Sequence, residues 1–478
     1  MEDRSISISE LPPGSHIHML GICGTAMASL AGLLKDRGFK VTGSDSNPYP
    51  PMSTQIQNLG IPLYSGYSRG HLRERPDFAI IGNVISASNE EAQEVMKLGV
   101  PYTSLPKAMG EMIIEDRASI VVAGTHGKTT TTSMMAWIAD QVGARPGFLI
   151  GGIPKNFSRS FQNPHGQIFV IEGDEYDTAY FDKVPKFIHY RPRHVIFTSC
   201  EFDHADIYKD FDHVKSAFKM LMDLIPAGGS LHYWADDPNV AALAAQSKAG
   251  LKRGYGLKEG GLRATELATD AAGQSFRASL DGKDLGVFKM VLTGEYNVMN
   301  ALAVIGVALK IGWDLEKVRA ALASFQGVKR RQEILGEPGG VLVIEDFAHH
   351  PTAVRETLKG LRARYPNRKL WAVFEPRSAT SRRKIFQKDY AESFGIADET
   401  CLARAFDQSK IDEGERFSSD ELVADLKAKG QSAACFDNAD AIVADLKART
   451  RSGDVVVIMS NGGFDGIYTK LMTALGGR

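Results

Sequence analysis

The sequence is poor in cysteine and contains no long apolar run. Only four cysteines stand in 478 residues and none forms a CxxC pair, so neither a zinc-type ligand spacing nor a disulfide framework is expected. No stretch of about 18 uninterrupted apolar residues occurs, so we expect no membrane-spanning helix. The acidic, polar start, residues 1–14, predicts no targeting signal. These absences predict a reduced, cytoplasmic protein that does not engage a membrane.

The chain also lacks an excess of charge of either sign. Its 56 basic and 57 acidic side chains leave a formal charge of −1. This balance argues against a nucleic-acid-binding protein, which needs a cationic surface, and against an acidic disordered chain. The 43% of hydrophobic residues is typical of a globular protein, and the length predicts about three domains.

What the chain does contain is three openings of the form strand, glycine-rich or polar turn, helix. They start at predicted strands 16–20, 119–123 and 341–344. Short β-branched runs alternate with helical patterns, which predicts an α/β fold of mostly parallel sheets covered by helices, with one antiparallel hairpin between 277 and 292. We predict three domains in series, Rossmann-like, P-loop and Rossmann-like: residues 1–112, 113–329 and 330–478.

The strongest motif is a short phosphate loop that follows the strand 119–123. Glycines let backbone N–H groups converge on phosphate oxygens, and the following helix adds the positive end of its dipole. We expect Lys128 to neutralise the β- and γ-phosphates of ATP, and the Thr129 hydroxyl to hold Mg²⁺. The predicted ATP-binding residues of this loop are Gly124, Thr125, His126, Gly127, Lys128, Thr129 and Thr130.

Two acidic segments follow later strands of the same predicted sheet. Glu172 comes at the end of an apolar strand, and His204 stands among carboxylates after another. The carboxyl ends of parallel strands meet at one edge, where ligands collect. Glu172 is therefore a predicted Mg²⁺ ligand, and His204 is a candidate contact for a metal or a phosphate.

The first glycine turn, residues 21–27, only partly matches the dinucleotide-binding pattern. Asp45 follows the second strand, where an acid that binds ribose is expected. The turn suggests a nucleotide diphosphate in the first domain, although a tight structural turn explains it about as well. An NAD-dependent dehydrogenase is a rival hypothesis, but it leaves the phosphate loop unused.

A last group of polar residues surrounds the predicted second domain boundary. An Asn side chain such as Asn297 can read an adenine edge, and Asp346 can bind ribose hydroxyls. Arg330 can stabilise a transferring phosphoryl group. A helix cap, a solvated cation and a turn before a proline are the alternative explanations.

The order of these motifs resembles the Mur ligase family of ATP-dependent cell-wall amide ligases over essentially the whole chain. The family's phosphate loop G-T-x-G-K-[ST] is matched at 124–129, and its D-[YF]-A-H-H-P segment at 346–351. The resemblance implies an ATP- and Mg²⁺-dependent ligase that acts through an acyl phosphate. It places His204 on a second Mg²⁺, Asn297 and Asp346 on adenosine, and His349 near the amine. The implied catalytic residues are Lys128, His204, Arg330 and His349.

The resemblance also implies the substrates. The glycine turn and the His-His-Pro segment are typical of members that use UDP-N-acetylmuramate. The implied residues for this UDP-sugar are Gly21, Gly24, Thr25, Ala26, Met27, Asp45 and Asn83. Segments from all three predicted domains, among them 22–27, 201–206 and 460–464, favour the recycled murein tripeptide L-Ala-γ-D-Glu-meso-diaminopimelate as the amine, with the tetra- and pentapeptide as further candidates. The implied peptide-binding residues are Arg377, Arg382, Arg383 and Asn461.

Three alternatives to this reaction stay open. Addition of free L-alanine to the same UDP-sugar is the first, although the arginines after the 374–376 segment are displaced from the pattern for that substrate. The dehydrogenase and a nucleotide-binding protein without ligase chemistry are the others. A monomer or a weak homo-oligomer is expected.

Overall fold

The computed structural model describes residues 7–46, 48 and 52–477, so the first six residues of the polar start lie outside the described part. The chain divides into two compact units. The first unit comprises Met1–Cys200, Lys215–Arg263 and Ala301–Ala321, and the second unit comprises Glu201–Val214, Ala264–Asn300 and Leu322–Arg478. In the described part, no helix combines the length and the apolarity that crossing a membrane requires.

A parallel sheet opens the first unit. Its strands are β1 (His16–Leu20), β2 (Lys40–Asp45), β3 (Leu63–Ser65), β4 (Phe78–Ile81) and β5 (Tyr102–Ser104). Its helices are α1 (Thr25–Asp36), α2 (Met52–Asn58), α3 (Glu90–Lys97) and α4 (Leu105–Ala108), and a π-helix follows at Met109–Ile114. The strand order β3-β2-β1-β4-β5 reverses between β1 and β4. In open parallel sheets, ligands bind at such a reversal, outside the carboxyl ends of the strands.

The phosphate loop belongs to a second sheet of the first unit. Its strands are β6 (Ala118–Ala123), β7 (Gly147–Leu149), β8 (Phe161–Gln162), β9 (Ile168–Gly173), β12 (Pro192–Phe197), β13 (Ser230–Trp234) and β14 (Leu251–Gly256). Two further strands, β10 (Asp177–Ala179) and β11 (Asp182–Pro185), form a separate hairpin. Helices α5 (Lys128–Gln141), α6 (Phe211–Leu224) and α7 (Pro238–Ala245) accompany them. The order β14-β13-β12-β6-β9-β7-β8 places β6 centrally, which explains its continuous buried apolar run.

The strand β15 (Leu262–Asp270) leads into the second unit, where β16 (Gly273–Leu280) and β17 (Lys283–Met290) form the predicted hairpin. Asp281 and Gly282 take positive φ angles of 50° and 83°, as a type I′ turn requires. Helices α8 (Glu295–Ile311) and α9 (Leu315–Ala323) come next along the chain.

The C-terminal sheet completes the second unit. Its strands are β18 (Glu333–Gly336), β19 (Leu342–Asp346), β20 (Leu370–Phe374), β21 (Glu399–Ala403), β22 (Ser432–Phe436) and β23 (Val455–Met459). Its helices are α10 (Pro351–Arg364), α11 (Gln387–Ser393), α12 (Ser419–Ala428), α13 (Ala439–Arg449) and α14 (Ile467–Gly476). The order is β18-β19-β23-β20-β21-β22, parallel except for β18. Phe374 and Tyr390 belong to the core on one face of this sheet, and Trp371 and Leu471 to the core on the other.

The predicted elements agree with this architecture. The strands expected at 16–20, 119–123 and 341–344 correspond to β1, β6 and β19, each within two residues at its ends. The α/β class with mostly parallel sheets is confirmed.

Candidate active site

The phosphate loop follows β6 and leads directly into α5. Gly124 has a φ of 132°, a conformation that favours glycine, and a Cβ there would lie 2.8 Å from the backbone nitrogen of Ser199. The Thr125 N–H donates to the Ser199 carbonyl (3.2 Å), and the His126 N–H donates to the Ser199 hydroxyl (2.8 Å). The chain just after β12 therefore fixes the course of the loop.

The start of α5 provides groups suited to an anion. Gly127 caps the helix in a left-handed conformation with a φ of 80°, and its carbonyl accepts the Thr131 N–H at 3.0 Å. The N–H groups before Thr131 are those that a helix leaves without an intrahelical acceptor, at the positive end of its dipole. Lys128, Thr129 and Thr130 carry these groups, at the predicted position of the phosphates.

The ammonium group of Lys128 is buried and paired. Its Nζ donates to the Gly124 carbonyl (2.7 Å) and to Glu175 Oε2 (3.1 Å). Burial lowers the pKa of Lys128, but the carboxylates of Glu175, Asp174 and Glu172 outweigh this effect and raise it. Lys128 is therefore charged at neutral pH. Glu175 is a partner that sequence reasoning missed, because its only signal is its place in the acidic segment after Glu172.

Thr129 and Glu172, the two predicted Mg²⁺ ligands of the phosphate loop and of β9, lie side by side. The Thr129 hydroxyl donates to Glu172 Oε2 (3.1 Å), and the other carboxylate oxygen of Glu172 accepts the Gly151 N–H (2.5 Å). Hydroxyl and carboxylate oxygens are the hard ligands that Mg²⁺ prefers. The donor set beside the start of α5 therefore fits this ion.

The first glycine turn lies where the strand order of the N-terminal sheet reverses. Gly21 has a φ of 78°, and its N–H donates to the Ser44 carbonyl in β2 (2.8 Å). The Asp45 carboxylate accepts the Cys23 N–H (2.9 Å). Asp45 thus supports the turn, and its contact with a ribose stays a prediction.

The remaining residues of the UDP-sugar set differ in exposure. The exposed ones are Gly24, Thr25 and Asn83, with Ala26 half-buried and Met27 buried. The Met27 side chain lies beside Gly82, which precedes Asn83. The glycine turn after β1 and the loop after β4 therefore approach each other at the carboxyl edge of the sheet.

In the second unit, Asp203 is the centre of a buried polar network. Its Oδ1 accepts the Thr380 hydroxyl (2.6 Å) and the His204 N–H (2.7 Å), and its Oδ2 lies 3.8 Å from His349 Nε2. Burial raises the pKa of Asp203, but the contact with His349 and the charges of His204 and His350 lower it well below its usual value. Asp203 is therefore ionised at neutral pH. Sequence reasoning assigned no role to Asp203 or Thr380, since 177 positions separate them along the chain.

The His349 ring is oriented by two contacts. Its Nδ1 lies 3.0 Å from the Phe347 carbonyl, which can only accept, so Nδ1 carries a proton and Nε2 faces Asp203. His204 takes a left-handed φ of 58° beside the same carboxylate. The fold thus brings two predicted catalytic residues, His204 and His349, to one carboxylate that was not predicted.

Arg330 is tied to strand ends of the C-terminal sheet. Its Nε donates to Glu345 in β19 (2.6 Å), and its Nη2 donates to the carbonyls of Gly462 (2.6 Å) and Ser460 (3.1 Å). The guanidinium therefore has a fixed position in the second unit. Its action on a phosphoryl group stays a prediction.

Asn297 and Asp346, the predicted adenosine contacts, are both buried in the second unit. The Asn297 Nδ2 donates to the Thr293 carbonyl (2.9 Å). The Asp346 carboxylate accepts the N–H groups of Gln332 (2.7 Å) and Ala348 (2.8 Å), and burial raises the pKa of Asp346. Both side chains hold the local backbone in place, and their contact with adenosine stays a prediction.

The predicted peptide residues lie around the ends of β20 and β23. Arg377 lies against Gly462, where a Cβ would come within 2.1 Å of its Cδ, and its guanidinium carbon lies 3.8 Å from the centre of the Phe406 ring. The Glu375 carboxylate lies 3.3 Å from Arg377 Nη1. Arg377 is thus held beside the end of β23, and its side chain is 29% exposed.

The other three predicted peptide residues have different surroundings. Arg382 donates to the Asp407 carbonyl, and the backbone of Arg383 pairs with that of Arg416. The Oδ1 of Asn461 is buried and has no hydrogen-bond partner within the described residues. Because buried acceptors are normally satisfied, Asn461 is the strongest candidate of the three for contact with a bound group.

Sequence comparison assigns three consecutive domains to this chain. Residues 16–117 match the catalytic domain of the Mur ligase family, residues 122–308 match the Mur ligase middle domain, and residues 330–462 match the Mur ligase glutamate ligase domain. The chain therefore carries three domains in series, as predicted, while the boundaries at 113 and 330 stay predictions.

Similar proteins span nearly the whole chain. UDP-N-acetylmuramate–L-alanyl-γ-D-glutamyl-meso-2,6-diaminoheptandioate ligase of Escherichia coli (strain K12) is 41% identical over 96% of this chain and 98% of its own. UDP-N-acetylmuramate–L-alanine ligase of Desulfitobacterium hafniense (strain Y51) is 32% identical over 94% of this chain and 97% of its own. The crystal structure of a murein peptide ligase from Psychrobacter arcticus 273-4 is 36% identical, with a TM-score of 0.72, and the match covers 97% of this chain and 99% of that one. This chain belongs to the Mur ligase family.

Proposed function

We propose that this ATP-dependent, amide-forming ligase joins UDP-N-acetylmuramate to the tripeptide L-Ala-γ-D-Glu-meso-diaminopimelate in peptidoglycan recycling. The observation that carries the ligase chemistry is the phosphate loop, where Lys128 and the Thr129–Glu172 pair lie at one sheet edge. The two substrates follow the Escherichia coli relative, which is named for them.

The reaction needs activation because a carboxylate is a poor electrophile. Transfer of the γ-phosphoryl group of ATP to the carboxylate of UDP-N-acetylmuramate gives an acyl phosphate and ADP. The amine of the tripeptide then attacks the acyl carbon, the C–N bond forms, phosphate leaves, and the nitrogen loses a proton. The protein contributes by positioning the groups and by stabilising developing charge.

Lys128 and the helix N-terminus supply positive charge to the phosphates in this proposal. Lys128 replaces its contact with Glu175 by contacts with the β- and γ-phosphates. Thr129 and Glu172 would hold Mg²⁺, which supplies further positive charge to the triphosphate. His204 is the proposed ligand of a second Mg²⁺, and Arg330 the proposed contact of the transferring phosphoryl group.

His349 is the proposed acceptor of the proton that the amine loses. Its Nδ1 already carries a proton toward the Phe347 carbonyl, so Nε2 is the nitrogen with a lone pair in the neutral ring. The carboxylate of Asp203 lies 3.8 Å from that nitrogen, where it can hold the ring in this orientation. Asp203 is therefore proposed to support His349 in this step.

The amine substrate is proposed to be bound by the residues around Arg377. A tripeptide that ends in diaminopimelate carries several carboxylates and a distal ammonium, so its recognition needs charges spread over a larger surface than L-alanine does. Arg377 and the unpartnered Oδ1 of Asn461 offer opposite kinds of contact at the ends of β20 and β23. The tetra- and pentapeptide extend the same chain and remain candidate substrates.

The test measures ADP release with UDP-N-acetylmuramate and saturating ATP, with tripeptide, with L-alanine and with no amine. We expect kcat/KM for the tripeptide to exceed that for L-alanine by about two orders of magnitude or more, since lost buried charge pairings cost several kcal/mol and each ~1.4 kcal/mol is tenfold. Arg377→Ala should lower kcat/KM for the tripeptide while KM for ATP stays unchanged. Arg404→Ala is the matched control, because Arg404 is an exposed arginine of the same sheet paired with Asp420 and Asp437.

Comparable efficiency with L-alanine would reassign the chain to the addition of that amino acid. ADP release that needs neither substrate would favour a nucleotide-binding protein without ligase chemistry, and a change in nicotinamide absorbance on turnover would favour the dehydrogenase. We also propose that the protein acts in the cytoplasm and that it is a monomer or a weak homo-oligomer.

A further inference from the structure

A buried contact between a histidine and a carboxylate joins the N-terminal sheet to one of its helices, outside every residue set assigned above. His18 of β1 and Glu91 of α3 are 1% and 0% exposed, and His18 Nε2 lies 2.6 Å from Glu91 Oε1. The other ring nitrogen of His18 lies 2.8 Å from the Thr42 hydroxyl of β2. Burying the Glu91 carboxylate is costly, and apolar side chains of similar size are often no less stabilising. A purely structural role is therefore a weak reason for this pair.

The second carboxylate oxygen of Glu91 holds a surface segment in place. Its Oε2 accepts the Ser68 N–H (3.0 Å) and lies 3.1 Å from His71 Nδ1. Both residues belong to the segment 66–72, which follows β3. The His71 ring also stacks on Tyr64, with centroids 4.6 Å apart. Glu91 is thus the link between the buried His18 and this segment.

The segment 66–72 borders the glycine turn on the side of β2. The Gly66 N–H donates to the Asp45 carbonyl (2.7 Å), and Tyr67 hydrogen-bonds Ser46. The Asp45 carboxylate in turn accepts the Cys23 N–H of the turn. The segment and the turn therefore meet at Asp45, at the carboxyl edge where a nucleotide is expected.

We propose that His18 and Glu91 are positioning residues for the sugar-nucleotide site: they fix the segment 66–72, which forms the wall of that site beside β2. They act through Ser68 and His71 and do not touch the ligand. The inference rests on the proposed function, since it takes the glycine turn as the binding place of a uridine diphosphate sugar.

The test uses Glu91→Gln, which keeps the size of the side chain and removes its charge. We expect KM for UDP-N-acetylmuramate and the Kd of UDP alone, measured by calorimetry, to rise about tenfold or more, because a displacement of about 1 Å in a supporting group can cost up to 10²-fold. KM for ATP should stay within about twofold of the wild-type value, as expected when only one substrate's binding is affected.

Glu399→Gln is the matched control. Glu399 is also a buried carboxylate held by a hydroxyl and two cations, Ser432, Lys369 and Arg449, but it lies in the second unit. This variant should lower Tm and leave the Kd of UDP unchanged. A lowered Tm alone therefore does not count as support for the positioning role.

His71→Phe tests the path through the segment and guards against misfolding of the Glu91 variant. It retains a ring against Tyr64 but loses the Nδ1 contact, so it should weaken UDP binding in the same direction. The effect should largely disappear in the Glu91→Gln background, since both changes break one link. Unchanged UDP binding in both single variants would overturn the inference. Wild-type protein that binds UDP but does not use the tripeptide would contradict the proposed amine and leave this inference standing, whereas wild-type protein without UDP affinity would overturn both.

Discussion

Gly124→Ala is the substitution whose effect on ATP binding follows most directly from the structure. Gly124 has a φ of 132°, a region essentially reserved for glycine, and an added Cβ would lie 2.3 Å from the Thr198 hydroxyl and 2.8 Å from the Ser199 backbone nitrogen. The Thr198 hydroxyl donates to the carbonyls of Ala123 and His126, so moving it breaks both hydrogen bonds. The backbone of Ser199 cannot move without disturbing the Thr125 N–H, which donates to its carbonyl. The substitution therefore distorts the phosphate loop.

The magnitude follows from the backbone strain. A non-glycine residue in such a region costs about 1–3 kcal/mol. If this whole cost destabilises the loop conformation that binds phosphate, ATP affinity falls by about 5- to 150-fold. Because the added Cβ also clashes with Ser199, we expect the loss of ATP affinity to lie toward the upper end of this range. Affinity for UDP should not change, since the glycine turn proposed to bind it lies in another sheet.

Gly143→Ala is the control, measured with the same calorimetric titration of ATP and the same thermal melt. Gly143 follows the other end of α5 and also has a positive φ, of 87°, but a Cβ there would meet nothing within 4 Å. We expect a small loss of Tm and unchanged ATP affinity. Wild-type ATP affinity in Gly124→Ala, or an equal loss in both variants, would refute the reasoning.

Three further predictions concern the phosphate loop and the pH dependence of stability. Lys128→Ala should abolish ADP release, and because it removes the ammonium that lies beside the buried Glu175 carboxylate, adding Glu175→Gln should restore part of the lost Tm but no activity. Glu172→Ala should raise the Mg²⁺ concentration needed for half-maximal ADP release, whereas Asp177→Ala, which changes a half-buried carboxylate paired with Lys183, should not. Equal titrations would exclude Glu172 as a ligand. Burial, with Arg193 and Lys310, lowers the pKa of His194 to about 4, so the unfolded chain binds its proton first as the pH falls. The contribution of neutral His194 to the free energy of unfolding is complete above about pH 6.5 and declines by up to about 3 kcal/mol toward pH 4. The urea midpoint should therefore fall from pH 7 to 6 to 5, and this pH dependence should be smaller in His194→Gln.

The elements that the sequence predicts well are those with a strong local signal. The strand β6 is a buried apolar run, which is typical of a central strand in a parallel sheet. Asp281 and Gly282 favour the tight turn of the β16–β17 hairpin, because this turn requires positive φ angles at both positions. The phosphate loop belongs to the same class, since glycines, a lysine and a helix start are adjacent in sequence. The π-helix at Met109–Ile114 has no comparable signal, because a π-bulge is rare and depends on tertiary packing.

The parts of the site that sequence reasoning missed depend on contacts between distant segments. The acidic segment at the end of β9 offers several carboxylates, and only the path of the chain decides that Glu175 is the one that meets Lys128. Asp203 likewise gains its meaning from His349, which comes from another part of the sequence. Residue types at strand ends predict which edge carries the chemistry, but they do not predict contacts such as those of Glu175 and Asp203.

The predicted ribose-binding acids illustrate why a motif position does not by itself define a contact. Asp45 and Asp346 both follow strands, where several backbone N–H groups converge on a carboxylate. In the structure Asp45 accepts the Cys23 N–H, and Asp346 accepts those of Gln332 and Ala348. A carboxylate that is wholly buried, as in Asp346, or partly buried, as in Asp45, is normally hydrogen-bonded by the protein, so an acid at this position supports the binding loop first. It follows that removal of either acid should disturb the backbone that forms the site, and that the loss of nucleotide affinity in such a variant cannot be equated with the loss of one hydrogen bond to a ribose.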